Sequence, residues 1–167
     1  MTATLRAARK ADIFRLQEIE RAAAELFRDS DLIDIDTMAV IPMADHITAI
    51  ETGISIVAQV DSRIAGFVMG EMQGDVAYLR ELDVDPAYQR RGIGAMLVTA
   101  YVTAAKAKAA APIYLSTFRA PPWNAPFYRR MGFTDVARAD YLPWMTAMEA
   151  AQASFLDLST RVFLKFF

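Results

Sequence analysis

The stretch Leu79-Arg-Glu-Leu-Asp-Val-Asp-Pro-Ala-Tyr-Gln-Arg-Arg-Gly-Ile-Gly-Ala95 decides the fold. Its first half sets Leu79, Leu82 and Val84 among charged residues, as a strand does, and stops at Asp85-Pro86. A basic turn spaced by glycines follows, and beyond it apolar residues recur at helical intervals. A strand, a tight turn and a helix start are thus expected in immediate succession. Gly92 and Gly94 allow a sharp turn and leave backbone N–H groups uncovered, and the helix adds the positive end of its dipole. Such a junction is a cradle for a phosphate.

Charge along the chain supports this reading. No Asp or Glu occurs from Pro86 to Thr134, where Arg90, Arg91, Lys106, Lys108, Arg119, Arg129 and Arg130 give a formal charge of +7. Residues 1 to 85 carry 8 basic and 16 acidic side chains, and residues 135 to 167 carry 3 and 4, so the chain as a whole has a net charge of −2. One contiguous block is suited to a polyanion within a protein that has no general affinity for one. That pattern argues against nucleic acid as a partner.

Two segments together identify a family. Gln89-Arg-Arg-Gly-Ile-Gly-Ala95, behind the Leu-Asp-Val-Asp-Pro strand, is followed further along by Trp123-Asn-Ala-Pro-Phe-Tyr-Arg-Arg-Met-Gly-Phe133. The first resembles the Gln/Arg-x-x-Gly-x-Gly/Ala pyrophosphate signature of the GNAT superfamily of acetyl-CoA-dependent N-acetyltransferases, and the second its Phe-Tyr-x-x-x-Gly-Phe ending. The resemblance runs from about Ile54 to Phe133. A Rossmann fold, the competing use of such glycines, needs a third glycine where this chain has Leu97 and an acid some twenty positions later. No acid occurs before Asp135, and that fold is set aside.

At 167 residues the chain suits one domain, 1–167, with a core of useful size. Hydrophobic residues make up 54 % but form no run long enough to span a membrane. The N-terminal residues lack a signal-peptide pattern and there is no cysteine, so a cytoplasmic enzyme is expected, without thiol catalysis or thiolate metal sites.

The elements read as follows. Thr4 to Arg9 is a strand, and Asp12 is placed to cap a helix with Ile13, Leu16, Ile19, Ala23 and Phe27 on its apolar face. The acidic stretch Asp29-Ser-Asp-Leu-Ile-Asp-Ile-Asp36 lacks the glycine and glutamate of a calcium loop, so no metal is assigned. It is either a solvated loop or an acidic rim that draws in a cationic amine. A second helix covers Met43 to Glu51 and carries the only histidine, His46, for which a surface or packing role, rather than catalysis, is expected. Strands follow at Ile54 to Val60 and Ile64 to Glu71, joined as a hairpin, before the central strand. Ile93, Leu97, Tyr101 and Ala105 define the core face of the next helix, Ile113 to Phe118 the next strand, and Phe127 and Met131 a short helix stopped at Gly132. Phe133 to Ala137 and Arg161 to Phe167 complete the strands. Between them Pro143 to Phe155 forms a helical insert, at about 140–158, with Trp144, Met148, Ala151 and Phe155 on one side.

The resemblance implies an α/β fold: a mixed, mostly antiparallel twisted sheet of six to seven strands flanked by four to five helices and splayed where the cofactor enters. It implies transfer of an acetyl group from acetyl-CoA to a primary amine of a small molecule or peptide by direct attack in a ternary complex. Without cysteine or a Ser-His pairing, no covalent acetyl-enzyme is indicated. A non-catalytic acyl-CoA-binding or regulatory module is the alternative.

Glu81, an acid inside an apolar strand, is the candidate base, because an amine with a pKa near ~10.4 is almost wholly protonated at pH 7. Its alternative is a structural carboxylate paired with Arg80 or another arginine. The family pattern assigns proton donation to the leaving thiolate to Tyr128; its alternative is a packing tyrosine. Backbone N–H groups of Arg90, Arg91, Gly92, Ile93, Gly94 and Ala95, in the motif that Gln89 opens, are expected on the pyrophosphate, and the edge of Leu82, Asp83 and Val84 along the pantetheine. Asn124 is a further pantetheine candidate, although the family's asparagine position, seven before the tyrosine, is Pro121 here. Arg129 and Arg130 are candidates for the 3′-phosphate. Trp123, Tyr141 and Trp144 could line an apolar acceptor pocket, and the apolar C-terminal strand suits burial in a sheet or in a homodimer contact.

Overall fold

A computed structural model describes residues 2–167. Seven strands, β1 (Thr4–Ala7), β2 (Ile54–Val60), β3 (Arg63–Gln73), β4 (Val76–Val84), β5 (Ile113–Phe118), β6 (Thr134–Asp135) and β7 (Arg161–Phe166), form one sheet in the order β1-β2-β3-β4-β5-β7-β6. Only β4 and β5 run parallel. Five helices flank the sheet: α1 (Ile13–Ala23), α2 (Met43–Glu51), α3 (Ile93–Ala107), α4 (Ala125–Arg130) and α5 (Pro143–Gln152). The expected α/β architecture is therefore present, with strand and helix numbers in the expected ranges.

Alternation along the strands sends side chains to two faces. On one face, Ala58, Val68, Leu79, Leu115 and Leu164 pack with Leu97 and Tyr101 of α3 and Tyr128 of α4. On the other, Val57, Phe67 and Met69 meet Leu16 and Ile19 of α1 and Ala49 of α2, while Tyr78, Tyr114 and Phe163 meet Met145 of α5. The two hairpins are two-residue turns: Asp61 and Ser62 take φ of 49° and 64° between paired Val60 and Arg63, and Gly74 takes 64° between Gln73 and Val76.

Several expectations need correction. Asp12 does not cap α1; its carboxylate accepts from the Arg9 N–H at 2.7 Å and pairs with Arg6, closing a short 3₁₀ turn at Lys10–Asp12 that precedes the helix. The first strand stops at Ala7 rather than Arg9, and β6 shrinks to Thr134–Asp135. On α5, Ala151 and Phe155 are not on the packed side. Met145 and Glu149 are buried there, and Phe155 lies beyond the helix with 70 % of its surface exposed. His46 is fully buried 5.9 Å from the Phe67 ring, as the packing role requires, and burial holds its pKa down.

Candidate active site

The site is made by two strands parting. β4 and β5 pair only through Ala77–Ile113, Tyr78–Tyr114 and Leu79–Leu115. Beyond Leu79, β4 has no strand partner on its β5 side, and the opening becomes part of a cavity of about 1220 Å³. This is the expected splay. At the same place β4 carries a bulge: Met69 faces Glu81 and Gly70 faces Leu79, so Arg80 is the extra residue. One extra residue reverses the alternation. Leu79 and then Leu82 and Val84 pack toward α3, and Glu81 and Asp83 are turned toward the α1 face.

The helix start gives the cavity its first wall. Arg90 has φ of 59° and Gly92 of 81°, a left-handed region that suits glycine, and Met96 N–H is the first to bond back, to the Gly92 carbonyl at 3.0 Å. The preceding amides at the N-terminus of α3 have no intrahelical acceptor. Gly92, Ile93, Gly94 and Ala95 all line the cavity, as do Gln89 and Arg90. Gln89 also braces the turn, its Nε2 donating to the Val84 carbonyl at 2.9 Å. Arg91 is exposed and lies 5.6 Å from the Tyr88 ring centroid. Uncovered amides, a helix N-terminus and two exposed arginines fit a diphosphate. Arg129 is differently engaged: it forms a double hydrogen bond to Asp135 at 2.8 and 2.9 Å, while Arg130 lines the cavity.

Carboxylates give it the second wall. Glu81 and Asp83 from β4 and Glu20 from α1 all line the cavity. Burial pushes Glu81 up to about 7, against the opposing pull of Arg161. Glu20 is likewise pushed to about 7 by burial and by Glu81, although both its oxygens accept from the Ile41 N–H at 3.0 Å. Burial, Glu81 and Glu20 raise Asp83 well above the carboxylate range, and its Oδ2 is sealed from solvent with no hydrogen-bond partner. Arg80 is not the partner of Glu81; it pairs with Asp45 at 2.7 Å and Glu71 at 3.1 Å. Arg161 donates to Ser116 Oγ at 3.0 Å and lies 4.4 Å from the Phe118 ring centroid.

Tyr128 lines the cavity from the other side of the sheet. Its ring is held between Phe127 and Phe133, at centroid distances of 5.1 and 5.7 Å. Burial first, and then the nearby Glu81 and Asp83, push its phenol far up, so it is protonated at every working pH. Asn124 donates through Nδ2 to Thr117 Oγ1 at 2.9 Å, and its Oδ1 is buried without a partner beside the same cavity. All thirteen predicted site residues except Arg91 line this one cavity.

A family model described as "Acetyltransferase (GNAT) family" matches residues 15–133. The chain belongs to the GNAT acetyltransferase family. A GNAT relative, the [ribosomal protein bS18]-alanine N-acetyltransferase of Salmonella typhimurium, is 28 % identical over 100 residues, spanning 59 % of this chain and 68 % of that protein. Among solved GNAT structures, the PaiA N-acetyltransferase of Thermoplasma acidophilum in complex with coenzyme A superposes with a TM-score of 0.75 at 17 % identity, covering 99 % of this chain and 98 % of that one. The ribosomal-protein-S18-alanine N-acetyltransferase of Escherichia coli gives a TM-score of 0.71 at 17 % identity, over 99 % and 93 %. This GNAT protein is accordingly an acyltransferase with acetyl-CoA as its co-substrate.

Three participants in the GNAT cavity escaped the sequence reading. Glu20 sits one turn from Leu16 and three residues before Ala23, on the apolar stripe of α1, and an acid on such a stripe is the signal that could have found it. Asp83 was expected only through its backbone, yet it alternates with Glu81 on the same face. Arg161, a strand-initial arginine far along the chain, carries no local signal.

Proposed function

We propose that this protein acetylates a primary amine by direct attack on acetyl-CoA, with the donor entering from the α3–α4 face and the acceptor from the α1–α5 face. The observation that carries the reading is a single cavity running from the N-terminus of α3 through the splay, with Tyr128 on the first side and Glu81 on the second. Amides of Arg90 to Ala95 hold the pyrophosphate, and the edge of Leu82, Asp83 and Val84 lies along the pantetheine. Asn124 Oδ1, which lacks a partner, is available to a pantetheine N–H.

Glu81 takes the ammonium proton, through water. With a pKa of about 7 it is half ionised at neutrality, and the gap to an amine near ~10.4 is far smaller than for an ordinary carboxylate. The neutral nitrogen attacks the thioester carbonyl and forms the C–N bond. As the C–S bond breaks, Tyr128 gives its proton to the sulfur, and its phenolate takes up the second proton leaving the new amide nitrogen, which restores the phenol. A cytoplasmic enzyme acting on a small-molecule or peptide amine is part of this reading, and association of two copies is read directly by sedimentation.

The test is amine-dependent thiol release. Tyr128→Phe should lower kcat about 100-fold with coenzyme A affinity by calorimetry unchanged. For wild type, kcat/KM should rise with pH through about 7 as Glu81 ionises, and Glu81→Gln should remove that limb. Retention of full rate by Tyr128→Phe and an unaltered profile in Glu81→Gln would refute the assigned roles.

A further inference from the structure

The acidic stretch 29–36 does not line the acceptor side with charge. Of its four aspartates only Asp34 reaches the cavity, and its Oδ1 is engaged by the Asp36 N–H at 3.1 Å; Asp36 itself pairs with Arg28. The apolar neighbours Ile33 and Met38 line the cavity. Phe27, in the 3₁₀ turn Ala24–Phe27 that follows α1, bridges to Phe118 at 5.5 Å and to Trp123 at 5.8 Å, which makes a wall of rings from that turn to the loop before α4. Leu26, Trp123 and Phe155, exposed by 42, 41 and 70 %, line the same cavity. Large apolar surface left in water around a cavity is surface that a ligand gains by covering, at about 25 cal/mol per Å².

We propose that the acceptor is a small monoamine with an apolar body of aromatic size, its ammonium directed to Glu20, Glu81 and Asp83 and its body against Phe27, Trp123 and Phe155. This rests on the acetyl-transfer reading of the same cavity. Charge complementarity sets one end: the three carboxyl groups are buried, Asp83 Oδ2 has no partner, and of the two lining cations that act on Glu81, Arg80 is already paired with Asp45 and Glu71, which leaves Arg161. The apolar wall sets the other. A polyamine would carry a second ammonium onto rings and aliphatic groups that cannot replace its hydration, with Arg90 and Arg130 on the rim repelling it. A peptide would bring a row of amides to a wall that offers them few polar partners. Gln152, Phe155 and Leu156 also line the cavity from a segment outside the matched 15–133, so the acceptor side is partly this chain's own.

Thiol release from acetyl-CoA should be compared for 2-phenylethylamine, ethanolamine, spermidine and an alanine-initiated hexapeptide. The expected result is a kcat/KM for 2-phenylethylamine about 100-fold above the other three, the scale of burying one aromatic side chain. Phe155→Ala, a change at an exposed site, should raise KM for 2-phenylethylamine about tenfold and leave that for ethanolamine unmoved. A preference for spermidine or the peptide, or equal rates for all four, overturns the proposal while acetyl transfer stands. Tight coenzyme A binding by calorimetry with no thiol release for any amine overturns both.

Discussion

At the scale of single residues, the cavity is governed by carboxylates removed from water. Glu20 is nearly enclosed, and its neutral form is favoured in the fold because burial and Glu81 both oppose the charge. A carboxyl raised from 4.5 to about 7 contributes stability that is full below its unfolded value and is lost as pH rises through the folded one. Ionisation above pH 7 therefore costs about 3 kcal/mol. Glu20→Gln keeps an oxygen for the Ile41 N–H and removes the charge. Its Tm relative to wild type should improve by about 5 °C or more between pH 5 and pH 8, as read by calorimetry. An identical offset at both pH values would show that the carboxylate is not desolvated. Tyr128 obeys the same physics: burial disfavours its phenolate and keeps the phenol protonated, the state that the proposed donor role requires.

Among the elements, the β4–turn–α3 unit was the most legible, since each of its signals is local. Alternation to Val84, the stop at Asp85-Pro86 and the glycines are set by residues a few positions apart, and Ile93–Ala107 emerges with Ile93, Leu97, Tyr101 and Ala105 buried as expected. Signals that depend on distant partners were not legible. The bulge at Arg80 exists because β3 pairs across it, and Tyr101 reaches over to donate to the Tyr78 carbonyl at 3.0 Å, passing so close that a Cβ at Gly70 would lie 2.2 Å from its hydroxyl. Asp12 fails as a cap because Arg6, on the neighbouring strand, claims its carboxylate. Gly92 offers a test at this scale. A Cβ there meets nothing within 4 Å, so Gly92→Ala acts only through its φ of 81°, a strain of about 1–2 kcal/mol. Coenzyme A should bind at least tenfold more weakly by calorimetry as the turn relaxes and its amides lose alignment. Unaltered affinity would show that the amides at this turn do not hold the diphosphate.

Across the whole molecule, function follows from a sheet that is joined at one end and open at the other. Three residue pairs tie β4 to β5, and beyond them the two faces communicate through the gap. Helices α3 and α4 supply the anion cradle and the phenol on one face, and α1 and the segment after α5 supply a carboxylate and apolar surface on the other. In the proposed reaction donor and acceptor approach from opposite sides, and the thioester meets the amine where the strands part. Ligand held in that gap should also stabilise the fold, by about 2.7 kcal/mol at one hundred times Kd. The most direct measurement is a crystal structure of the protein with coenzyme A. The account predicts diphosphate oxygens on the amides of Arg90 to Ala95 and the sulfur inside the splay, between Glu81 and Tyr128. A nucleotide bound elsewhere, or a sulfur directed away from the opening between β4 and β5, would contradict it.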